Sequence, residues 1–181
     1  KIYYGIKTGL NEAFIIDSTK RQEILNNCKD EDERRRTEAI IKPILRGRDI
    51  KRYYYEWAGL WIIIIPAGWT NEKRSKEKPE IFTEETFPSL MKHLKTFEEK
   101  AKKRDDQGDY WWELRHCAYY HEFEKDKVIY SEIVREPQFH YDSEKFYIEA
   151  TSFLMTGEYI KYICGLLNSK PVSFFFKQYY A

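Results

Sequence analysis

The sequence predicts an α+β fold, in which helices pack against a mixed β-sheet that begins with an N-terminal hairpin. Three observations favour this class. Strand-like apolar runs and helical apolar stripes occur in the same chain, they do not alternate in the βα order of a parallel sheet, and no internal repeat is present. The chain has 181 residues, of which 42% are apolar. That length and composition suffice for one substantial core, so we expect a single domain over residues 1–181.

The first predicted element is a β-hairpin over Tyr4–Asp17. Two apolar runs flank a polar tip that contains Gly9 and Asn11. Glycine and asparagine adopt a positive φ at lower cost than other residues. The pattern therefore indicates a strand, a tight loop and a returning strand. In this prediction Lys7, Thr8 and Asn11 project from the tip, where they can contact a partner.

The middle of the chain is predicted to contain two helices and a buried strand. Ser18 can cap the first, short helix. Residues 61–66 are rich in isoleucine and do not alternate with polar residues, which is typical of a strand buried on both faces. Pro88 begins the clearest helix, because apolar residues recur after it at three- to four-residue spacing. These residues are Leu90, Met91, Leu94, Phe97 and Ala101.

The C-terminal third is predicted to contain two strands followed by two helices. Residues 127–133 and 145–148 have the composition of strands. Residues 157–167 carry an apolar helical face, and Pro171 is well placed to begin a final helix. The chain begins without methionine and ends on the aromatic run 174–181. From these two ends we expect a fragment of a longer protein.

Charge is distributed unevenly along a chain whose formal net charge is only +1. Residues 34–54 contain eight basic and two acidic side chains, whereas residues 105–149 contain twelve acidic and five basic side chains. A protein with this distribution can have a basic face and an acidic back. Charges scattered over a solvated surface are the alternative. The composition alone does not separate the two.

The basic segment at residues 44–53 is the first binding candidate. Arginine guanidinium groups match phosphate oxygens and also the O6 and N7 atoms of guanine. The alternative is that some of these arginines pair with Asp49 or Glu56 and only brace the loop. The candidate side chains are Arg46, Arg48, Lys51, Arg52 and Tyr53.

Two further segments are binding candidates. Arg115 follows two adjacent tryptophans, of which one can stack under its guanidinium group, although burial in the core is the commoner use of such rings. Ser169 and Lys170 lie between two predicted helices. A helix start can bind phosphate through its free N–H groups, and a plain N-cap at Ser169 is the commoner alternative.

The sequence predicts no catalytic and no metal-binding residues. It contains neither a glycine-rich nucleotide loop nor a serine nucleophile flanked by glycines. The three cysteines and four histidines lack the spacing of a zinc site. An odd number of widely spaced thiols suits a reducing cytoplasm, where we expect the protein to be located. The longest apolar run is too short to cross a membrane, so no membrane partner is expected.

Several of these segments, taken in order, resemble one known family. They resemble the TaqI-like specificity domain, the target recognition domain of adenine-N6 DNA methyltransferases and type IIG restriction–modification enzymes. The similarity extends from about residue 4 to residue 172. The matching segments are Gly5–Ile15, Ile41–Ile50, Leu60–Ile63, Trp111–Leu114, Lys127–Tyr130 and Leu166–Lys170, together with Leu94, Phe97 and Arg104 of the long predicted helix.

The resemblance implies sequence-specific recognition of double-stranded DNA by part of a bacterial type II restriction–modification enzyme or methyltransferase. In that family a methyltransferase domain precedes this one, binds S-adenosylmethionine and carries an Asn-Pro-Pro-Tyr motif. No such motif occurs here. The resemblance therefore implies a recognition half that needs no cofactor and has a methyltransferase domain of the same protein as its partner.

Two alternatives from other classes are a protein-interaction or scaffold module of a phage-defence complex and a free-standing nuclease. For the DNA-recognition hypothesis, we expect the hairpin tip and the basic segment to share one side of the domain. The predicted DNA-contacting residues are Lys7, Thr8, Asn11, Arg46, Arg48, Lys51, Arg52, Tyr53, Arg115, Ser169 and Lys170.

Overall fold

A computed structural model describes residues 1–179 of the chain, so Tyr180 and Ala181 of the predicted aromatic terminus lie outside the described residues. Helices and strands both occur in quantity, which confirms the α+β class. The strands are β1 (Ile2–Tyr4), β2 (Ile15–Asp17), β3 (Ile41–Leu45), β4 (Leu60–Ile63), β5 (Lys127–Ser131), β6 (Phe139–Asp142), β7 (Tyr147–Ile148) and β8 (Ser152–Met155). The helices are α1 (Asn11–Phe14), α2 (Ser18–Asn26), α3 (Glu31–Ile40), α4 (Trp69–Lys73), α5 (Pro79–Thr86), α6 (Pro88–Lys95), α7 (Glu98–Ala101), α8 (Tyr120–Phe123), α9 (Ile160–Leu167) and α10 (Lys170–Tyr179).

The chain divides into two compact units. Unit 1 comprises Lys1–Ile6, Pro43–Ala58 and Tyr119–Ala181, and unit 2 comprises Lys7–Lys42 and Gly59–Ala118. Each unit is assembled from separate stretches of sequence, so neither corresponds to a single continuous segment. That residues 1–181 form one recognition domain stays a prediction. Among residues 1–179, no helix is both long enough and apolar enough to cross a bilayer.

Unit 1 is built on an antiparallel sheet with the strand order β1-β8-β5-β6. Ile129 of β5 lies opposite Leu154 of β8, and both side chains are fully buried. Helix α9 contributes Ile160 and Cys164 to a buried cluster with Val128 of β5. Burial of this apolar surface is the main force that holds the helix on the sheet.

The predicted N-terminal hairpin is wrong, because its two strands pair elsewhere. β1 pairs with β8, and β2 pairs with β4. Gly9 has a positive φ of 68°, as the pattern predicts. The chain after it then turns into α1, where the Ala13 N–H donates to the Leu10 carbonyl. The apolar pattern indicated β2 correctly, whereas the first predicted strand overlaps β1 only at Tyr4. Such a pattern carries no information about a partner that lies far along the chain.

Unit 2 packs its helices against β2 and β4. Ile16 of β2 lies opposite Trp61 of β4. The side chains of Ile62 to Ile65 are all buried, which confirms the predicted strand with two buried faces, although β4 itself ends at Ile63. Helices α2 and α6 contact each other, and their apolar faces contribute Leu25 and Leu90 to the buried residues of the unit.

The single helix predicted from Pro88 is in fact two helices, α6 and α7. The Thr96 hydroxyl donates to the His93 carbonyl at 2.7 Å, and the Phe97 N–H donates to the Leu94 carbonyl three residues earlier. These bonds tighten the last turn and end α6. The predicted apolar stripe is nevertheless correct, since Leu94 and its neighbours on that face are buried.

A buried arginine holds the loops of unit 2 together. Arg104 is only 6% exposed, and its guanidinium group lies 4.2 Å from the ring centroid of Phe14. Backbone carbonyl groups accept hydrogen bonds from its Nη1 and Nη2 atoms, which offsets much of the cost of burying the cation. These carbonyl groups belong to Thr8, Asp106, Trp111 and Glu113.

A buried ion pair joins the neighbouring strands β5 and β6 of the unit 1 sheet. Lys127 of β5 lies opposite Asp142 of β6, with 2.6 Å between Nζ and Oδ2, and neither side chain is exposed. Lys127 also donates to the Phe123 carbonyl at 2.7 Å. Burial lowers the pKa of Lys127, while the Asp142 carboxylate opposes that shift. Removing the lysine leaves a buried carboxylate without its cation.

We expect Lys127→Met to lower the free energy of unfolding by about 3–5 kcal/mol, because one partner of a buried pair remains uncompensated. Urea denaturation of the chain measures this. Lys103 is exposed, so Lys103→Met should change the free energy by no more than about 0.5 kcal/mol. Equal midpoints for the two variants would contradict a stabilising role of the pair.

Candidate nucleic-acid interface

The basic segment lies in unit 1 and folds into a tight turn after β3. Ile50 and Tyr55 form an isolated antiparallel bridge, and the Lys51 N–H donates to the Tyr54 carbonyl at 2.9 Å. We call residues 51–54 the basic turn. Tyr53 has a φ of 71°, the left-handed conformation that reverses the chain direction here. The turn therefore presents Arg52 and the ring of Tyr53, which is 54% exposed.

Arg46 is committed to the buried carboxylate of Asp49. Its Nε donates to Oδ2 at 2.9 Å and its Nη2 to Oδ1 at 2.8 Å, while its backbone N–H donates to Oδ2 at 2.9 Å. The hydrogen bonds that Arg46 donates to the Asp49 carboxylate raise the pKa of Arg46. This confirms the alternative that an arginine of the segment pairs with Asp49. Arg46 thus fixes the 3₁₀ turn Gly47–Asp49 that precedes the basic turn.

Arg48 and Lys51 differ in how much of their charge is already compensated. The Lys51 ammonium group donates to the Arg48 carbonyl at 2.7 Å and lies 3.6 Å from the Glu56 carboxylate. The Arg48 side chain is exposed, and within residues 1–179 it makes no hydrogen bond or ion pair. Arg48 therefore keeps a guanidinium group that is available to an anion.

Asn168 anchors the basic turn. Its side-chain amide donates to the Phe139 carbonyl at 2.7 Å and accepts from the Phe139 N–H at 3.1 Å. The Tyr53 N–H donates to the same carbonyl at 3.0 Å, and Arg52 donates to the backbone carbonyl of Asn168. Asn168 is fully buried, so its side-chain amide depends on these protein partners for its hydrogen bonds. The turn is consequently held at two points.

The same asparagine brings the third predicted segment to the basic turn. Ser169 and Lys170 follow Asn168 directly, and the Ser169 carbonyl accepts the Ser173 N–H at the start of α10. Lys170 is exposed. We use the term tip surface for the four side chains that the structure assembles around Asn168, which are distinct from the residues of the predicted hairpin tip. Its members are Arg52, Tyr53, Ser169 and Lys170.

The remaining predicted residues lie in unit 2. Lys7 and Arg115 both pair with Asp106, each at 3.1 Å, so the structure brings these two cations together around one carboxylate. Thr8 is 1% exposed and donates to Oδ1 of Asn11 at 2.6 Å. The expectation that Thr8 projects from the surface is therefore wrong, because its hydroxyl organises the loop. Asn11 is exposed at the start of α1.

The predicted common face stays a prediction, since the hairpin residues belong to unit 2 and the basic segment to unit 1. The anchoring role of Asn168 was not predicted, because its partner strand β6 has no clear signal in the sequence. The cations Arg135 and Lys177 were not predicted either, since neither lies in a basic run. Within residues 1–179, no three potential ligands among His, Cys, Asp and Glu cluster as a metal site requires.

Comparison with known proteins identifies a family and a group of structural neighbours. The family model of the TaqI-like C-terminal specificity domain matches residues 42–181. Among solved structures, the chain is similar to the Type IIL restriction-modification enzyme MmeI in complex with DNA, with a TM-score of 0.60 and 12% sequence identity. The match covers 93% of this chain and 20% of that chain, so this chain spans about a fifth of its neighbour. The comparison with curated proteins finds no match.

Arg46→Lys tests the structural role of Arg46 while keeping its charge. A lysine cannot make the two parallel bonds to Asp49, so we expect a loss of about 1–3 kcal/mol in unfolding free energy. The matched substitution Arg48→Lys should stay within about 0.5 kcal/mol of the parent chain. Chemical denaturation compares the two. Equal losses at both positions would show that the Arg46–Asp49 pair does not stabilise the segment.

Proposed function

Because this chain belongs to the TaqI-like C-terminal specificity domain family, we propose that it recognises a specific sequence in double-stranded DNA. It would do so as part of a bacterial type II restriction–modification enzyme or an adenine-N6 DNA methyltransferase. The catalytic steps then belong to other domains of that protein. The DNA-bound state of the structural neighbour MmeI supports DNA as the partner.

The tip surface carries this proposal. It combines a guanidinium group, an exposed ring, a hydroxyl group and an ammonium group on a backbone that Asn168 holds in place. A two-stranded turn is narrow enough to enter the major groove, which is about 12 Å wide. There Arg52 can donate to a guanine edge, while Lys170 contacts phosphate. Phosphate contacts of this kind position a protein, and base contacts determine its sequence preference.

The sequence contains no glycine-rich loop of the kind that binds nucleotide cofactors. Its first two glycines serve the packing of the chain rather than a cofactor loop. A Cβ atom on Gly5 would lie 2.2 Å from the Glu149 carbonyl oxygen, and one on Gly9 would lie 3.0 Å from the Asp106 side chain. We therefore place the cofactor in a separate methyltransferase domain, which would be the second partner of this chain. The expected setting is the bacterial cytoplasm, in defence against phage.

Lys170→Ala and Arg52→Ala should both weaken binding to duplex DNA in the protein that contains this chain. If Lys170 contacts one phosphate, the slope of log K against log salt concentration should fall by about 0.9. If Arg52 reads a guanine, its loss should reduce discrimination against the wrong base by about 1–3 kcal/mol. Fluorescence anisotropy with target and scrambled duplexes over a salt series measures both quantities.

Lys161→Ala is the control, since Lys161 is an exposed lysine of unit 1 outside the tip surface. Denaturation of the Arg52 variant separates lost contacts from a displaced turn, because Arg52 also bonds to Asn168. Parent protein that binds target and scrambled duplexes equally would contradict sequence recognition. Capture of a protein partner without any DNA binding would favour the scaffold alternative.

A further inference from the structure

A surface groove of about 590 Å³ in unit 1 is lined by cations from three separate segments. The basic segment contributes Arg48 and Lys51, the loop between β5 and β6 contributes Arg135, and α10 contributes Lys177. The carboxylate of Glu136 also lines the groove, and the Glu56 carboxylate lies 3.6 Å from the Lys51 ammonium group. Only the first two cations were visible as a group in the sequence. The groove is therefore a product of the tertiary fold.

Close packing fixes one wall of the groove. A Cβ atom on Gly47 would lie 2.7 Å from the Ser131 Oγ, so a larger residue in the 3₁₀ turn would displace the Ser131 side chain at the end of β5. The Arg46–Asp49 bonds hold the same turn from its other side. Arg48 is thereby placed beside the loop at residues 132–138. The groove does not have to form upon binding.

Three of the four groove cations are weakly compensated, whereas Lys51 donates to the Arg48 carbonyl and lies 3.6 Å from the Glu56 carboxylate. Within residues 1–179, Arg48 and Arg135 make no side-chain hydrogen bond or ion pair. Lys177 lies 3.5 Å from Glu136, but the two side chains are 56% and 52% exposed, and a pair so exposed is easily exchanged for another anion. The groove thus offers two guanidinium groups and two ammonium groups to a ligand.

We propose that this groove binds a phosphodiester group of duplex DNA. The inference rests on the proposed function and adds a second contact surface to it. Guanidinium groups bind phosphate oxygens through two parallel hydrogen bonds, which suits Arg48 and Arg135. The basic segment supplies Arg48 to the groove and Arg52, four residues later, to the tip surface. A polymer whose phosphates repeat at short intervals can occupy both, which an isolated small anion cannot.

The test uses the double substitution R135A/K177A in the protein that contains this chain. If each cation contacts a phosphate, the slope of log K against log salt concentration should fall by about 1.8, and affinity at 0.1 M salt by more than about tenfold. The charge-preserving variant R135K/K177R should restore most of the slope. Discrimination between target and scrambled duplexes should not change, because phosphate contacts carry no sequence information. Lys161→Ala again serves as the control.

Three results would overturn the inference. A parental salt slope in R135A/K177A, with DNA binding intact, removes the groove but leaves the proposed function standing. Absence of any duplex binding by the parent protein removes both. The third result would come from calorimetric titration of the protein with inorganic pyrophosphate. Pyrophosphate binding that the double substitution abolishes, while duplex binding stays parental, would assign the groove to a free phosphate ligand instead of DNA.

Discussion

The arrangement of the basic segment depends on one buried carboxylate, that of Asp49. It is 4% exposed and accepts three hydrogen bonds from Arg46, while the Asp49 backbone carbonyl accepts the N–H of Glu56. A buried carboxylate is costly without such partners, so Arg46 has to stay beside it. The 3₁₀ turn then has one conformation, and Arg48 is directed outward. The Asp49 carboxylate therefore determines that Arg46 stabilises the turn, whereas Arg48 stays available to a ligand.

At the other end of the basic segment, the buried polar group that must keep its hydrogen-bond partners is the side chain of Asn168. A buried amide must be hydrogen-bonded, and here the backbone of Phe139 satisfies both its donor and its acceptor. The basic turn is attached to the same two residues through Tyr53 and Arg52. Cations on a backbone that is already fixed lose less conformational entropy when they bind. The buried amide of Asn168 therefore stabilises the backbone that carries the exposed cation of Arg52.

Local physical chemistry accounts for the part of the fold that the sequence predicted. The isoleucine run, the apolar stripe after Pro88 and the positive φ of Gly9 each depend on residues close in sequence. The prediction of an N-terminal hairpin was wrong because β1 pairs with β8, and this pairing is determined by tertiary packing. For the same reason the cations Arg135 and Lys177 were missed. Arg46 and Arg48 show the limit most clearly, since the sequence offered both of them either role and only the position of Asp49 distinguishes them.

The acidic stretch at residues 105–149 shows why a charge count along the sequence is not a surface charge. Three of its carboxylates are buried and serve the fold. Glu113 accepts backbone N–H groups of Gly68, Thr70 and Asp109, Glu122 bonds to Thr156 and Lys125, and Asp142 pairs with Lys127. These side chains cannot form the predicted acidic back. In unit 2, Lys7 and Arg115 share Asp106, whereas the four cations of the unit 1 groove have the carboxylates of Glu136 and Glu56 near them and leave Arg48 and Arg135 without an ion pair. A chain of net charge +1 can therefore present a locally basic surface, and the groove of unit 1 is such a surface.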